Sequence, residues 1–142
     1  MYRSIVVALD GSELGEHVLP SVEALAEHFG SLVILLRVTS AAGLSADALD
    51  ADRREADHYL TDLYNRLTAK GLQVHYQRLE GSPSELIAEH ARTLGADLIA
   101  LTSHGRAGVR GARFGHVAEA VILTAPCSLL IVRADKTPAG YR

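Results

Sequence analysis

Five short apolar runs recur along this chain with helix-length spacers between them, and that alternation constrains the fold more than any other feature. The runs cover residues 5–9, 32–38, 72–79, 96–101 and 128–132. Four are almost unbroken in aliphatic residues, as in Ile5-Val6-Val7-Ala8-Leu9. A strand that is apolar on both sides must be covered on both faces, which is the situation of a strand in a parallel sheet. The third run, Leu72-Gln73-Val74-His75-Tyr76-Gln77-Arg78-Leu79, is more polar and suits a sheet edge.

The spacers read as helices. Val18, Val22, Leu25 and Phe29 fall on one face of a first helix, with Asp10 or Ser12 to cap its start and Gly30 to end it. Pro20 lies inside that pattern and predicts a kink. Ala56, Leu60, Leu63, Tyr64 and Leu67 make the stripe of a second helix, which Lys70 and Gly71 close. Residues 40–50 predict a mobile loop ahead of it. Ser82-Pro83-Ser84-Glu85 predicts a capping box at the start of a third helix that Gly95 ends. A fourth helix is predicted from about 115 to 124, with Pro126 stopping it. Strict alternation of five strands with four helices predicts an α/β fold: a doubly wound, five-stranded parallel sheet with right-handed crossovers and helices on both faces.

A chain of 142 residues is the size of one domain, here 1–142, with a core to about 133 and a frayed tail from 134. With 48% hydrophobic and 22% charged residues it has ordinary globular composition, which excludes disorder and collagen. No apolar run approaches the roughly 20 residues of a membrane-spanning helix. The opening Met1-Tyr2-Arg3-Ser4 does not read as a secretory signal. One cysteine, Cys127, makes no internal disulfide, and a reducing cytoplasm is the expected location. A net charge of -3 speaks against a protein that coats nucleic acid.

In open parallel sheets ligands bind outside the carboxyl ends of the strands, where the strand order reverses. Asp10-Gly11-Ser12 follows the first strand and Val38-Thr39-Ser40 ends the second. The fourth strand is followed by Thr102-Ser103-His104-Gly105-Arg106-Ala107-Gly108-Val109-Arg110-Gly111-Ala112-Arg113-Phe114-Gly115-His116. That segment carries Gly105, Gly108, Gly111 and Gly115 with Arg106, Arg110 and Arg113, and no acid. Glycines let backbone N–H groups approach a ligand, arginines supply donors and charge, and the segment runs into a helix N-terminus. These properties predict an anion site, with phosphate the natural occupant. The competing reading is an arginine-bearing surface loop.

Over about residues 1–132 the sequence resembles the universal stress protein family. The resemblance rests on Ile5-Val6-Val7-Ala8-Leu9-Asp10-Gly11-Ser12, Val38, Gly81-Ser82-Pro83, Ala96-Asp97-Leu98-Ile99, Ser103-His104-Gly105-Arg106, Gly115-His116-Val117-Ala118-Glu119 and Ala125-Pro126-Cys127 before Leu129-Leu130-Ile131-Val132. It implies strand order 3-2-1-4-5 and a regulatory, stress-response role for a protein that binds ATP or another adenine nucleotide, with Mg as the accompanying ion and at most slow hydrolysis. Members that bind ATP carry glycine, two residues, glycine, nine residues, glycine and then serine or threonine. Those positions are Thr102, Gly105, Gly115 and His116 here, so the first glycine and the last hydroxyl are replaced. A β-branched threonine is expected to crowd the phosphate, while the His116 ring can donate in place of the hydroxyl. The resemblance further implies adenine and ribose near Ala8, Asp10, Val38 and Leu101, with Val38 and Leu101 as apolar walls. Thr102, His104, Gly105, Arg106, Gly115, His116 and Val117 complete the implied binding set. Asp10 has a competing role as an Asx-type cap, and Val38 and Leu101 as plain core. Two copies are implied to pair as a homodimer through the last strand, 128–132.

The remaining chemistry-bearing residues read as structural. The seven histidines, His17, His28, His58, His75, His90, His104 and His116, show no metal-ligand spacing, and no metal site is expected. His90, on a largely apolar helix face, is expected to be partly buried and hydrogen-bonded. Cys127 is expected to be a small buried hydrophobe. There is no nucleophile elbow and no Gly-Lys-Ser phosphate loop, and no catalytic residue is assigned. His104 is the one loop residue suited to proton transfer. A phospho-receiver would need an aspartate ending strand three, where Leu79-Glu80-Gly81 stands instead. The alternative to nucleotide binding is a dimeric interaction module that works without it.

Overall fold

The computed structural model describes residues 1–103 and 115–134. The elements run β1 (Ser4–Leu9), a 3-10 turn (Leu14–Val18), α1 (Leu19–Phe29), β2 (Leu32–Thr39), α2 (Ala46–Ala69), β3 (Gln73–Glu80), α3 (Pro83–Leu94), β4 (Leu98–Thr102), α4 (His116–Thr124) and β5 (Ser128–Val132). The strands form one sheet in the order β3-β2-β1-β4-β5, every neighbouring pair parallel. Sequence alternation therefore led to the right architecture, and the polar third strand is an edge.

Side chains that alternate along each strand build two cores. Ile5, Val7, Leu9, Val33, Leu35, Leu98 and Ala100 face α1 and α2, where Val22, Ala26, Leu60, Leu63 and Leu67 meet them. Val6, Ile34, Leu36, Ile99 and Leu101 face the other way, against Ile87 and Ala91 of α3 and Ala118 and Val121 of α4. Chain direction is fixed at the amino ends of the strands as well. Asp97 accepts from the N–H groups of Arg3 (2.8 Å) and Ser4 (3.1 Å), which ties the start of β1 to the turn before β4.

Three local expectations change. Pro20 does not kink a helix, because the chain between Leu14 and Val18 is a 3-10 turn and Pro20 falls in the first turn of α1, where its missing N–H removes no bond. The segment 40–50 is not one loop, because Ser45 accepts from the Ala48 N–H at 3.2 Å and starts α2 at Ala46. The capping box of α3 does not form: the Ser82 hydroxyl lies 3.0 Å from that of Ser84 and makes no cap bond, and Pro83 alone opens the helix. Gly95 does end α3, with φ at +66°. Of the predicted tail, Ala134 is described, and its N–H donates to Ser103 Oγ at 3.0 Å. Among the described residues no helix is long and apolar enough to cross a membrane.

Candidate functional site

The strand order reverses between β1 and β4, so the crevice that the topology offers lies at their carboxyl ends. Three chain segments meet there. The first is the turn after β1. Asp10 Oδ1 accepts from the Ser12 N–H (3.0 Å) and from the Ser12 hydroxyl (2.6 Å), and Ser12 Oγ in turn accepts from the Gly15 N–H (3.0 Å). Asp10 Oδ1 thus organises its own turn, the Asx-type role, at the mouth of the crevice.

The second segment is the end of β4. The Thr102 hydroxyl donates to the Gly15 carbonyl at 2.7 Å in a buried contact. Ser103, only 3% exposed, donates its N–H to the Val132 carbonyl at 2.8 Å and accepts from Ala134. The third segment is the start of α4. The Gly115 N–H donates to the Ser103 carbonyl, so the two ends of the segment 104–114 stand side by side. Gly115 is the residue before α4, with extended backbone, and exposed His116 is the helix's first residue. The first-turn N–H groups of a helix have no intrahelical acceptor and favour an anion.

Ala8, Val38, Leu101 and Val117 pack with one apolar core beneath α3 and α4. Asp10 and Thr102 are joined through Ser12 and Gly15, and Gly115 is bonded to the residue after Thr102. His104, Gly105 and Arg106 lie outside the described residues, as do Gly108, Arg110, Gly111 and Arg113.

Arg37, which sequence reasoning passed over, is buried under this site at 2% exposure. Its Nη2 lies 2.6 Å from Glu55 Oε2, and its guanidinium carbon sits 5.3 Å from the centroid of the Tyr59 ring. Nη1 is buried without a hydrogen-bond partner among the described residues. Gly11, at φ +86°, lies over the guanidinium so closely that a Cβ there would fall 2.7 Å from its carbon. Tyr59 donates to Glu16 Oε2 at 3.1 Å, and burial, with Glu16 adding, pushes its hydroxyl well above the usual range. A lone charge next to the end of an otherwise aliphatic run was the only signal of Arg37 in the sequence.

Two further expectations, on His90 and Cys127, are corrected or refined. His90 is partly buried, but its Nε2 has no hydrogen-bond partner among the described residues, and burial lowers its pKa. Cys127 is half-buried, and burial, with Asp97 adding, pushes its thiol up, so it is a poor nucleophile at neutral pH. Among the described residues no group of three or more His, Cys, Asp or Glu side chains could hold a metal ion.

The sequence and the fold have counterparts among known proteins. A universal stress protein of Methanocaldococcus jannaschii is 28% identical over 96% of this chain and 85% of its own length. One of Staphylococcus epidermidis is 30% identical over 99% and 90%. The solved structure of the protein MJ0577 superposes with a TM-score of 0.88 at 26% identity, covering 96% of this chain and 99% of the other. Residues 1–133 match the universal stress protein family as a whole, which takes in every element from β1 to β5, and the chain belongs to that family.

Proposed function

We propose that this protein binds an adenine nucleotide, ATP in the first instance, at the carboxyl ends of β1 and β4. The observation that carries the reading is the meeting of the Asp10 turn, the Thr102-Ser103 strand end and the Gly115–Val117 helix start where the strand order reverses. Two more distant relatives add to it. A universal stress protein solved in complex with cAMP has a TM-score of 0.74 at 20% identity, and one from Arabidopsis thaliana solved with AMP bound has 0.70 at 16%. In this reading Ala8, Val38 and Leu101 line the base, Asp10 takes a base or ribose donor, and His116 and Val117 present helix N–H groups to phosphate beside Gly115. His104, Gly105 and Arg106 add the donors of the glycine-arginine segment, and Mg accompanies the phosphates.

The output is conformational or through partners, in one domain working as a regulatory protein in the cytoplasm. No residue is assigned a catalytic role in this reading, and steady-state ATP hydrolysis is expected below about 1 s⁻¹, the low end of enzyme turnover. Two copies pair through β5, an edge strand whose Leu129, Leu130, Ile131 and Val132 are only half-buried. Calorimetry of ligand-stripped protein with ATP, ADP and AMP tests the core of this reading. Saturable binding below millimolar is expected, and no heat with any of the three at millimolar concentration overturns it. One observation favours the alternative of a nucleotide-independent interaction module: the Gly115 N–H already serves Ser103 and is not free for a phosphate.

A further inference from the structure

Threonine at position 102 is expected from the glycine pattern to obstruct a nucleotide, but its side chain is not directed at the crevice. Leu98 and Ala100 face the core under α1, and strand alternation puts Thr102 on that same side, opposite to Leu101. There Thr102 is 8% exposed, and its hydroxyl donates to the carbonyl of buried Gly15, 87 residues away in sequence. The bond is the last link of a continuous chain. Asp10 Oδ1 takes the Ser12 hydroxyl at 2.6 Å, Ser12 Oγ takes the Gly15 N–H at 3.0 Å, and the Gly15 carbonyl takes the Thr102 hydroxyl at 2.7 Å. The room for this geometry is narrow, because a Cβ on Gly15 would fall 2.6 Å from Asp10 Oδ1.

We propose that Thr102 is a positioning residue, which through Gly15 and Ser12 holds the Asp10 carboxylate in its binding orientation, so that glycine at this position weakens nucleotide binding rather than relieving it. The inference rests on the nucleotide-binding reading above and gives the replaced pattern position a role. Without the hydroxyl the buried Gly15 carbonyl loses its side-chain donor, and the turn is less firmly tied to β4. Serine keeps the donor, whereas valine keeps the volume and loses it.

Three variants, Thr102→Ser, Thr102→Val and Thr102→Gly, are titrated with ATP beside the parent protein and a Val74→Ala control. Val74 is buried in β3 near the opposite end of the sheet, so its truncation lowers stability without touching the turn. The proposal expects Thr102→Ser within about twofold of the parent and the Val and Gly variants weaker by roughly fivefold or more, the scale of one lost hydrogen bond. It expects Val74→Ala to lower the melting temperature and leave affinity unchanged. Tighter or equal binding by Thr102→Gly overturns it, as does a Val74→Ala loss equal to that of Thr102→Val. Amide exchange across residues 10–17 without ligand tests the clasp separately. Exchange at least about fivefold faster in Thr102→Val than in the parent is expected, and equal rates overturn the proposal. If the parent and every variant fail to bind while exchange does accelerate, the nucleotide reading has failed and the clasp stands as a structural device.

Discussion

At the scale of single residues, the site rests on backbone conformations that its own side chains require. Gly11 combines a φ of +86° with a guanidinium directly beneath it, so two independent penalties meet any side chain there. Gly11→Ala is expected to lower stability by about 1–3 kcal/mol in urea unfolding. A change within a few tenths would show that the turn and Arg37 move aside freely. The sequence made Asp10-Gly11-Ser12 visible as a turn at a strand end, but Arg37 beneath it was hidden. Periodicity marks a strand as buried without saying which of its polar members finds a partner, and Glu55 and Tyr59 come from a helix whose docking is a tertiary fact. The side-chain direction of Thr102 was hidden for a related reason. Its identity was plain, but which face of β4 it occupies follows from register, since Val7 of β1 lies beside Ala100.

At the scale of elements, β1 is held against β4 at both ends by side chains that reach across the sheet order. The carboxyl ends are joined by Thr102 and the turn, the amino ends by Asp97. Burial pushes the Asp97 carboxyl up, but the N–H groups of Arg3 and Ser4 outweigh it and hold the group below the ordinary carboxylate range. A depressed folded-state pKa means that the unfolded chain takes up a proton first as pH falls. The contribution of Asp97 is therefore complete above about pH 4, the ordinary value, and fades as pH drops through the folded one. Asp97→Ala should cost about 1 kcal/mol at pH 7, read from urea midpoints, and clearly less at pH 3. An equal cost at both would mean that the carboxylate charge plays no part. Element types and their order were legible because burial on two faces imposes unbroken apolar runs on β1, β2, β4 and β5. Element starts were less so: Ser45 and Ser82 look alike as caps in sequence, yet Ser45 bonds to its helix and Ser82 turns to Ser84.

At the scale of the whole molecule, a sheet with polar β3 at one edge and half-buried, apolar β5 at the other is asymmetric in what it can recruit. Arg78 and Glu80 of β3 are engaged by Asp57 and Arg53 of α2, which covers that edge with charge. β5 shows no such ion pairs among the described residues, and light scattering at micromolar concentration should return twice the chain mass, with a single chain mass contradicting pairing through that strand. The crevice between β1 and β4 follows from the strand order, which alternation of runs alone did not specify and the resemblance supplied. Nucleotide binding at that crevice is the central claim, and chemical-shift mapping of isotope-labelled protein during an ATP titration tests it most directly. The account predicts saturable shifts concentrated at Asp10–Ser12, Val38, Leu101–Ser103 and Gly115–Val117. Shifts absent at millimolar ATP, or gathered along the β3 edge instead, would contradict it.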